Sequence, residues 1–255
     1  MRTDGRNTST TPVALPPVQT ADGVQLRVWR WRAVPQRATV VLVHGFGAGG
    51  LHPSVASVAQ ALVERGFEVL SYDARGHGES GGLSTLIDRE QLDVAAVTPL
   101  ATGPLVVVGV SMGAVAALRW AAAGASPACD GVVVVSAPAR WRLRPAFLAL
   151  GLLTRTSLGV AVLGRLSGAR VDRRFRLAPA PASLVRQIRQ PLAVVHGTRD
   201  RLLPARDAPL LLRDAPAPRR LWLVTDMGHG LVRSGISAIL EAVEWALAAA
   251  PAFSG

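Results

Sequence analysis

Consecutive apolar positions recur along the chain at 39–43, 105–108, 131–135 and 192–195. A strand buried on both faces of a parallel sheet has this pattern, because helices cover either side of it. An alternating stretch rich in β-formers at 24–31, after the turn signal Ala21-Asp22-Gly23, predicts one further strand. Strands are also expected at 68–72 and 220–224, and the run at 105–108 extends to 110. Between them, helices are expected at 53–65, 86–97, 114–123, 206–213 and 234–249. Pro53 suits the first turn of the first helix and Gly66 its C-cap. Strands alternating with helices predict an α/β domain, with a mostly parallel, doubly wound sheet and helices on both faces. No repeat of fixed period is visible.

Two segments break the rhythm. Residues 1–20 are polar and rich in Thr and Pro, with no apolar core of a targeting signal, and read as a disordered tail. Residues 137–190 separate two strands without offering one of their own. They hold apolar helical stretches at 145–153 and 158–166, flanked by Arg140, Arg142 and Arg144 and by Arg170, Arg173, Arg174 and Arg176. A connection this long is usually functional. It reads as a small helical cap inserted into a core made of residues 21–136 and 191–255.

With 49% hydrophobic residues in 255, the chain can fill a sizeable core. The single cysteine, Cys129, excludes an internal disulfide and reads as packing. No run of about 18 apolar residues suggests a membrane span, and the expected setting is cytoplasmic. The net charge is +11, and all 28 basic residues are arginine. That bias reads as a codon habit of a GC-rich genome. No basic patch interleaved with aromatics suggests a nucleic-acid module, so no nucleic-acid partner is expected. The arginine-flanked cap could make a weak contact with an anionic membrane.

The chemistry gathers in loops that leave expected strand ends, where open α/β sheets bind ligands. Gly109-Val110-Ser111-Met112-Gly113 reads Gly-x-Ser-x-Gly between a strand and a helix, the context of a nucleophile elbow. The Gly-rich loop 44–50 follows another strand. Asp200 follows the strand at 192–195, and His229 follows the last strand between two glycines. Asp73, Asp214 and Asp226 compete with Asp200 for the third position. His44, His52, His77 and His196 read as loop-bracing, surface or near-core residues, and Ser136 is a weaker alternative nucleophile. Arg75 and Glu79 could touch substrate, but internal contacts of their loop explain them better.

The motifs His-Gly-Phe-Gly at 44–47, Asp-Ala-Arg-Gly-His-Gly-Glu-Ser at 73–80, the elbow at 109–113, Gly-Thr-Arg-Asp at 197–200 with Pro204, and Gly-His-Gly at 228–230 occur in one order. In these the chain resembles the α/β-hydrolase superfamily, most closely its serine esterase, monoacylglycerol-lipase-like and serine-aminopeptidase-like branch. The resemblance implies the α/β-hydrolase fold and a Ser111–His229–Asp200 triad. It puts an oxyanion hole at the backbone N–H groups of Phe46 and Met112. It implies hydrolysis of a small-molecule carboxylic ester through an acyl-enzyme, with neither cofactor nor metal. Thioester hydrolysis, acyl transfer, aminopeptidase-like and haloperoxidase-like chemistry stay open, as does a non-catalytic binding scaffold. The cap matches no family motif; its Phe147, Leu150 and Leu153 are candidates to line a pocket for a hydrophobic acyl group.

Overall fold

The computed structural model describes residues 11–124, 129–141, 156–173, 179–216 and 218–250. An eight-stranded sheet forms the centre, in the order β1-β4-β6-β5-β7-β8-β9-β10. The strands are β1 (Val13–Ala14), β4 (Val28–Trp31), β5 (Ala38–Val43), β6 (Phe67–Tyr72), β7 (Leu105–Val110), β8 (Gly131–Val135), β9 (Leu192–Gly197) and β10 (Arg219–Val224). Strands β5 to β10 run parallel to one another, whereas β4 runs antiparallel to both of its neighbours, β1 and β6, at one edge. A separate hairpin pairs β2 (Val18–Gln19) with β3 (Gln25–Leu26).

The continuous apolar runs produce the middle strands. Every residue of β5, β6, β7, β8 and β9 is buried. Strand β10 lies at the other edge, and its side chains are exposed or half-buried. Helices α1 (Pro53–Glu64) and α6 (Ile236–Ala248) close a core on one face with Val40, Leu42, Val106, Val108 and Val133. Helices α2 (Glu90–Val97) and α3 (Met112–Ala122) close the other with Val41, Val43, Val107 and Val134. Burying both faces stabilises such a sheet at roughly 25 cal/mol per Å2 of apolar surface removed from water.

Strand β5 leads through α1 to β6 on one side, and β7 leads through α3 to β8 on the other. Because β5 and β7 are neighbours, with Val43 opposite Gly109, the chain parts at their carboxyl ends. A crevice at such a switch point is where open α/β sheets place their ligands.

The structure corrects several expectations. Residues 11–20 are not a disordered tail: β1 pairs with β4, Val13 opposite Arg30, and β2 follows. Otherwise β4 would leave a row of unpaired backbone groups at the sheet edge. Residues 1–10 lie outside the described ones. The single strand expected at 24–31 is divided into β3 and β4, because the Arg27 N–H turns away to the Ser80 hydroxyl at 2.8 Å. The helix expected from 86 begins at Glu90. Leu86 has a left-handed φ of 64°, and the Glu90 carboxylate accepts the Thr85 N–H at 2.7 Å and the Thr85 hydroxyl at 2.8 Å, fixing a turn there instead.

Within 137–190, helices α4 (Ser157–Ser167) and α5 (Pro181–Leu184) are described. Val185 and Ile188 are buried in the main core, so the core resumes before residue 191. The stretch after α4 is tied down: the Ser84 N–H donates to Arg170 O at 2.7 Å, and Arg170 N–H to Gly76 O at 2.7 Å. The helical stretch expected at 145–153, with Phe147, Leu150 and Leu153, lies outside the described residues. On α4, Leu158, Val162 and Leu166 are exposed. Among the described residues, no helix is long and apolar enough to cross a membrane.

Candidate active site

Ser111 follows β7 directly and caps α3 with a backbone of φ 52°, ψ −111°. Its N–H donates to Val135 O of the adjacent strand at 3.0 Å, and its carbonyl accepts from Ala114 and Val115 as α3 begins. The flanking glycines permit this turn. A Cβ on Gly113 would run into the Val43 carbonyl oxygen and lie 2.6 Å from that of His44. Helix α3 therefore passes against the start of the 44–50 loop, and a larger residue would push the two apart.

The structure brings the three expected side chains together. Ser111 Oγ stands 3.0 Å from His229 Nε2, and His229 Nδ1 stands 2.8 Å from Asp200 Oδ2. A carboxylate only accepts, so Nδ1 carries the imidazole proton and Nε2 is left to accept from the serine hydroxyl. Asp200 Oδ1 accepts the N–H groups of Leu202 and Leu203 at 2.9 and 2.8 Å. Burial pushes the Asp200 carboxyl up. The hydrogen bonds from His229 and from Leu203 N–H outweigh it and hold the group below the usual carboxylate range. An ionised carboxylate thus faces the imidazole while the serine side remains open: Asp200 is 7% exposed, and Ser111 and His229 are half-buried.

The loops carrying Asp200 and His229 leave neighbouring strands, β9 and β10, and are stitched together. Thr198 N–H donates to Val224 O at 3.0 Å, and Arg199 N–H to Met227 O at 3.0 Å. Arg199 also pairs with Asp226 at 2.7 Å. Asp226 is thereby engaged away from Asp200 and His229. Asp214 pairs with Arg186 and Arg213.

Phe46 lies in the turn that Ala48 N–H closes on Gly45 O, and its ring meets the edge of His77. Met112 is the first residue of α3, where an N–H has no partner within the helix. A Cβ on Gly45 would stand 3.4 Å from the Ser111 Cβ, so the 44–47 loop lies against the serine.

His44 and His77 brace this loop. His44 Nε2 accepts the Ala74 N–H at 2.9 Å, and Nδ1 faces Gly45 O at 2.7 Å. Complete burial drives its pKa down to about 3, so the ring stays neutral. His77 Nε2 accepts the Gly47 N–H at 3.3 Å, and burial lowers its pKa as well. His52 caps α1 through Ser54 N–H. Cys129 is buried against the Gly131 carbonyl, its thiol pushed up to about 12 by burial.

The 73–80 loop is held by contacts outside itself as well as by the internal ones expected of it. Asp73 does hold its own loop, accepting from Gly50 and Glu79 N–H at 2.8 Å each. Arg75, however, reaches outside. Its backbone N–H and Nε donate to Asp93 on α2, and its two terminal nitrogens fork onto Asp22 at 2.8 and 3.0 Å. The fork lowers the Asp22 pKa to about 2. Glu79 pairs with Arg27 at 3.4 Å.

Two residues that the sequence reading set aside stand at the site. His196 is fully buried on β9, with Nε2 2.9 Å from Leu203 O and 3.5 Å from Asp200 Oδ2. Ser136 follows β8, and its hydroxyl accepts the Gly230 N–H at 3.1 Å. Neither position carries a motif; only its place at the end of a central strand could have marked it. No group of three or more His, Cys, Asp or Glu among the described residues could hold a metal ion.

Solved structures of low identity share this fold. An esterase from Exiguobacterium antarcticum aligns with a TM-score of 0.73 at 18% identity, covering 91% of this chain and 98% of that one. One from Pyrococcus furiosus aligns at 0.70 and 22%, covering 94% and 95%. One from Rhodococcus sp. ECU1013 aligns at 0.67 and 19%, covering 94% and 100%. No curated protein matches the sequence. The family model described as serine aminopeptidase, S33, matches residues 34–176, more than half of the sequence, and the chain belongs to that family of α/β hydrolases.

Proposed function

We propose that the protein is a serine hydrolase that cleaves a small-molecule carboxylic ester through an acyl-enzyme. The observation that carries this reading is the unbroken chain from Ser111 Oγ to His229 Nε2, and from His229 Nδ1 to Asp200 Oδ2. A serine hydroxyl is a weak nucleophile until a base takes its proton. His229 Nε2 takes that proton as Ser111 Oγ bonds to the ester carbonyl carbon, and the carbonyl oxygen becomes an oxyanion. The N–H groups of Phe46 and Met112 are the donors assigned to that oxygen; one such donor is worth about 3–4 kcal/mol in the transition state. His229 then gives its proton to the departing alkoxide. A water molecule, deprotonated by the same nitrogen, attacks the acyl-enzyme, and the acid leaves as Ser111 regains its proton. Asp200 keeps the imidazole in the required tautomer and stabilises its charged form.

A moderately hydrophobic acyl group fits the apolar cap segment. Helix α4 of that segment ends beside the 44–50 loop, where a Cβ on Gly47 would be 3.7 Å from the Ser167 Cβ. The test is labelling by a fluorophosphonate probe of wild type and Ser111→Ala, followed by turnover of p-nitrophenyl esters of increasing acyl length. Labelling of wild type alone, with ester turnover, is the expected result. Labelling without ester turnover but with release of p-nitroaniline from aminoacyl anilides would move the reading to peptide hydrolysis. No labelling of folded protein would overturn it.

A further inference from the structure

Two serines that end adjacent strands of the sheet both have a positive φ. Ser111 follows β7 with φ 52°, and Ser136 follows β8 with φ 48°. A non-glycine residue in this region costs about 1–3 kcal/mol and persists where the surroundings enforce it. At Ser111 the proposed nucleophile accounts for the strain. At Ser136 no helix follows among the described residues, and His229 Nε2 is engaged by Ser111 Oγ. Glycine would adopt the same backbone without strain, so the side chain at 136 has to have a use of its own.

The hydrogen bonds around it supply one. Ser136 is fully buried. Its N–H donates to Val195 O on β9 at 3.0 Å, and the preceding carbonyl, that of Val135, accepts the Ser111 N–H at 3.0 Å. Its hydroxyl oxygen accepts the N–H of Gly230, the residue after His229, at 3.1 Å. One two-residue step at the end of β8 is thus bonded to the elbow on one side and to the histidine turn on the other. The turn needs such a tie. His229 stands between two glycines, Gly230 has a φ of 83°, and a Cβ on either glycine would meet nothing within 4 Å. Met227 and Gly228 are held before His229 by their close approach to Gly197, and the residue after it is held by the hydrogen bond from Gly230 N–H to this buried, strand-anchored hydroxyl.

We propose that Ser136 is a positioning residue for His229: its hydroxyl, held by β8, fixes the Gly230 amide and so keeps the imidazole on Ser111 Oγ. The role rests on the acyl-transfer reading of Ser111 and His229. It acts on the proton-transfer geometry and leaves substrate binding alone.

Two variants separate the hydroxyl from the backbone. Ser136→Gly removes the hydroxyl and relieves the strain; Ser136→Ala removes the hydroxyl and keeps the strain. Both are expected to lose about tenfold in kcat, the equivalent of about 1.4 kcal/mol, with KM within about twofold of wild type. Wild-type kcat in Ser136→Gly, with a loss in Ser136→Ala alone, would show a backbone role only and overturn the proposal. The side-chain 15N resonances of His229 read its position without any substrate. They are expected to shift in Ser136→Gly, and unchanged resonances overturn the proposal even where no ester is turned over. Shifted resonances in a protein whose wild type neither labels nor turns over ester would count against the hydrolase reading alone.

Discussion

Gly197 and Met227 approach so closely that no side chain fits between them: a Cβ on Gly197 would run into the Met227 carbonyl oxygen and stand 2.8 Å from that of Gly228. The contact brings the end of β9, which leads to Asp200, onto the turn that leads to His229. Gly197→Ala must therefore push the two turns apart. Overpacking of this kind costs about 1–3 kcal/mol of stability. Turnover should suffer more, because a displacement near 1 Å in a catalytic pair can cost about 100-fold. Steady-state kinetics of the alanine variant, beside its urea midpoint, check this. Wild-type kcat would mean that the Asp200–His229 bond survives the displacement.

The sequence assigns Arg75 to contacts within its own loop in preference to substrate, and the structure makes it a pillar between three elements. Burial alone would lower its pKa, but the hydrogen bond to Asp22 and the charge of Asp93 outweigh burial and leave it raised. Asp93 is fully buried, so Arg75→Met strands a carboxylate in the core. Breaking a buried pair from one side costs about 3–5 kcal/mol. Adding Asp93→Leu should restore part of that and no more, since Asp93 also accepts the Arg75 backbone N–H, which would then lose its partner. Urea unfolding of the single and double variants measures both. The KM for esters should stay at the wild-type value in each; a rise of tenfold or more in Arg75→Met would return the residue to the substrate.

These residues also mark how far the sequence could be read. The central strands were legible because a run such as 131–135, apolar at every position but its first glycine, has only one environment that buries both faces. The edge was not: nothing in the alternation of 24–31 reveals that the Arg27 N–H leaves the ladder for Ser80, or that Val13 and Ala14 return to cover β4. Ser111 and His229 could be picked out because glycines flank each one, and Asp200, with three competitors, because it follows a central strand in the order the family resemblance implies; the structure sets the three in hydrogen-bonding distance. Asp22 and Asp93 stand 53 and 18 residues from Arg75, a separation that no local pattern encodes. Ser136 escaped for the same reason, its partner Gly230 being 94 residues away.

His44 makes the stability of the fold sensitive to acid. Its pKa is about 3 in the folded protein against an ordinary 6.5. Between those values the unfolded chain binds a proton that the folded chain refuses, so stability falls as pH falls through the window and is unaffected above it. One such proton contributes about 1.4 kcal/mol per pH unit. In His44→Gln the side-chain carbonyl can still accept the Ala74 N–H but does not titrate. Wild type should therefore lose stability faster than the variant between pH 6 and pH 4, by about 1.4 kcal/mol per unit. Taking the difference between the two proteins cancels the groups they share, His77 among them. Parallel urea-unfolding curves across that range would show that His44 is protonated without cost to the fold.

Asp200→Asn tests the tautomer directly. The amide oxygen can still accept from Leu202 and Leu203, so the 200–203 turn has no reason to open. The amide NH2 then faces His229 Nδ1 as a donor, which requires Nδ1 to accept and moves the imidazole proton to Nε2. That proton points at Ser111 Oγ, where an acceptor is needed. A loss of about 10,000-fold in kcat is expected from the wrong tautomer, with fluorophosphonate labelling slowed alongside it, because both depend on the same proton transfer. In wild type, the hydrogen bonds from His229 and Leu203 N–H hold the Asp200 carboxyl below the usual carboxylate range, so Asp200 is not the group that ends activity as the pH falls towards that range. A variant retaining a tenth or more of wild-type turnover would require another carboxylate to orient the ring. Asp73 is committed to Gly50 and Glu79 N–H, and Asp226 to Arg199. Either could serve only by breaking those contacts, so Asp226→Ala in the Asp200→Asn background would then identify the substitute.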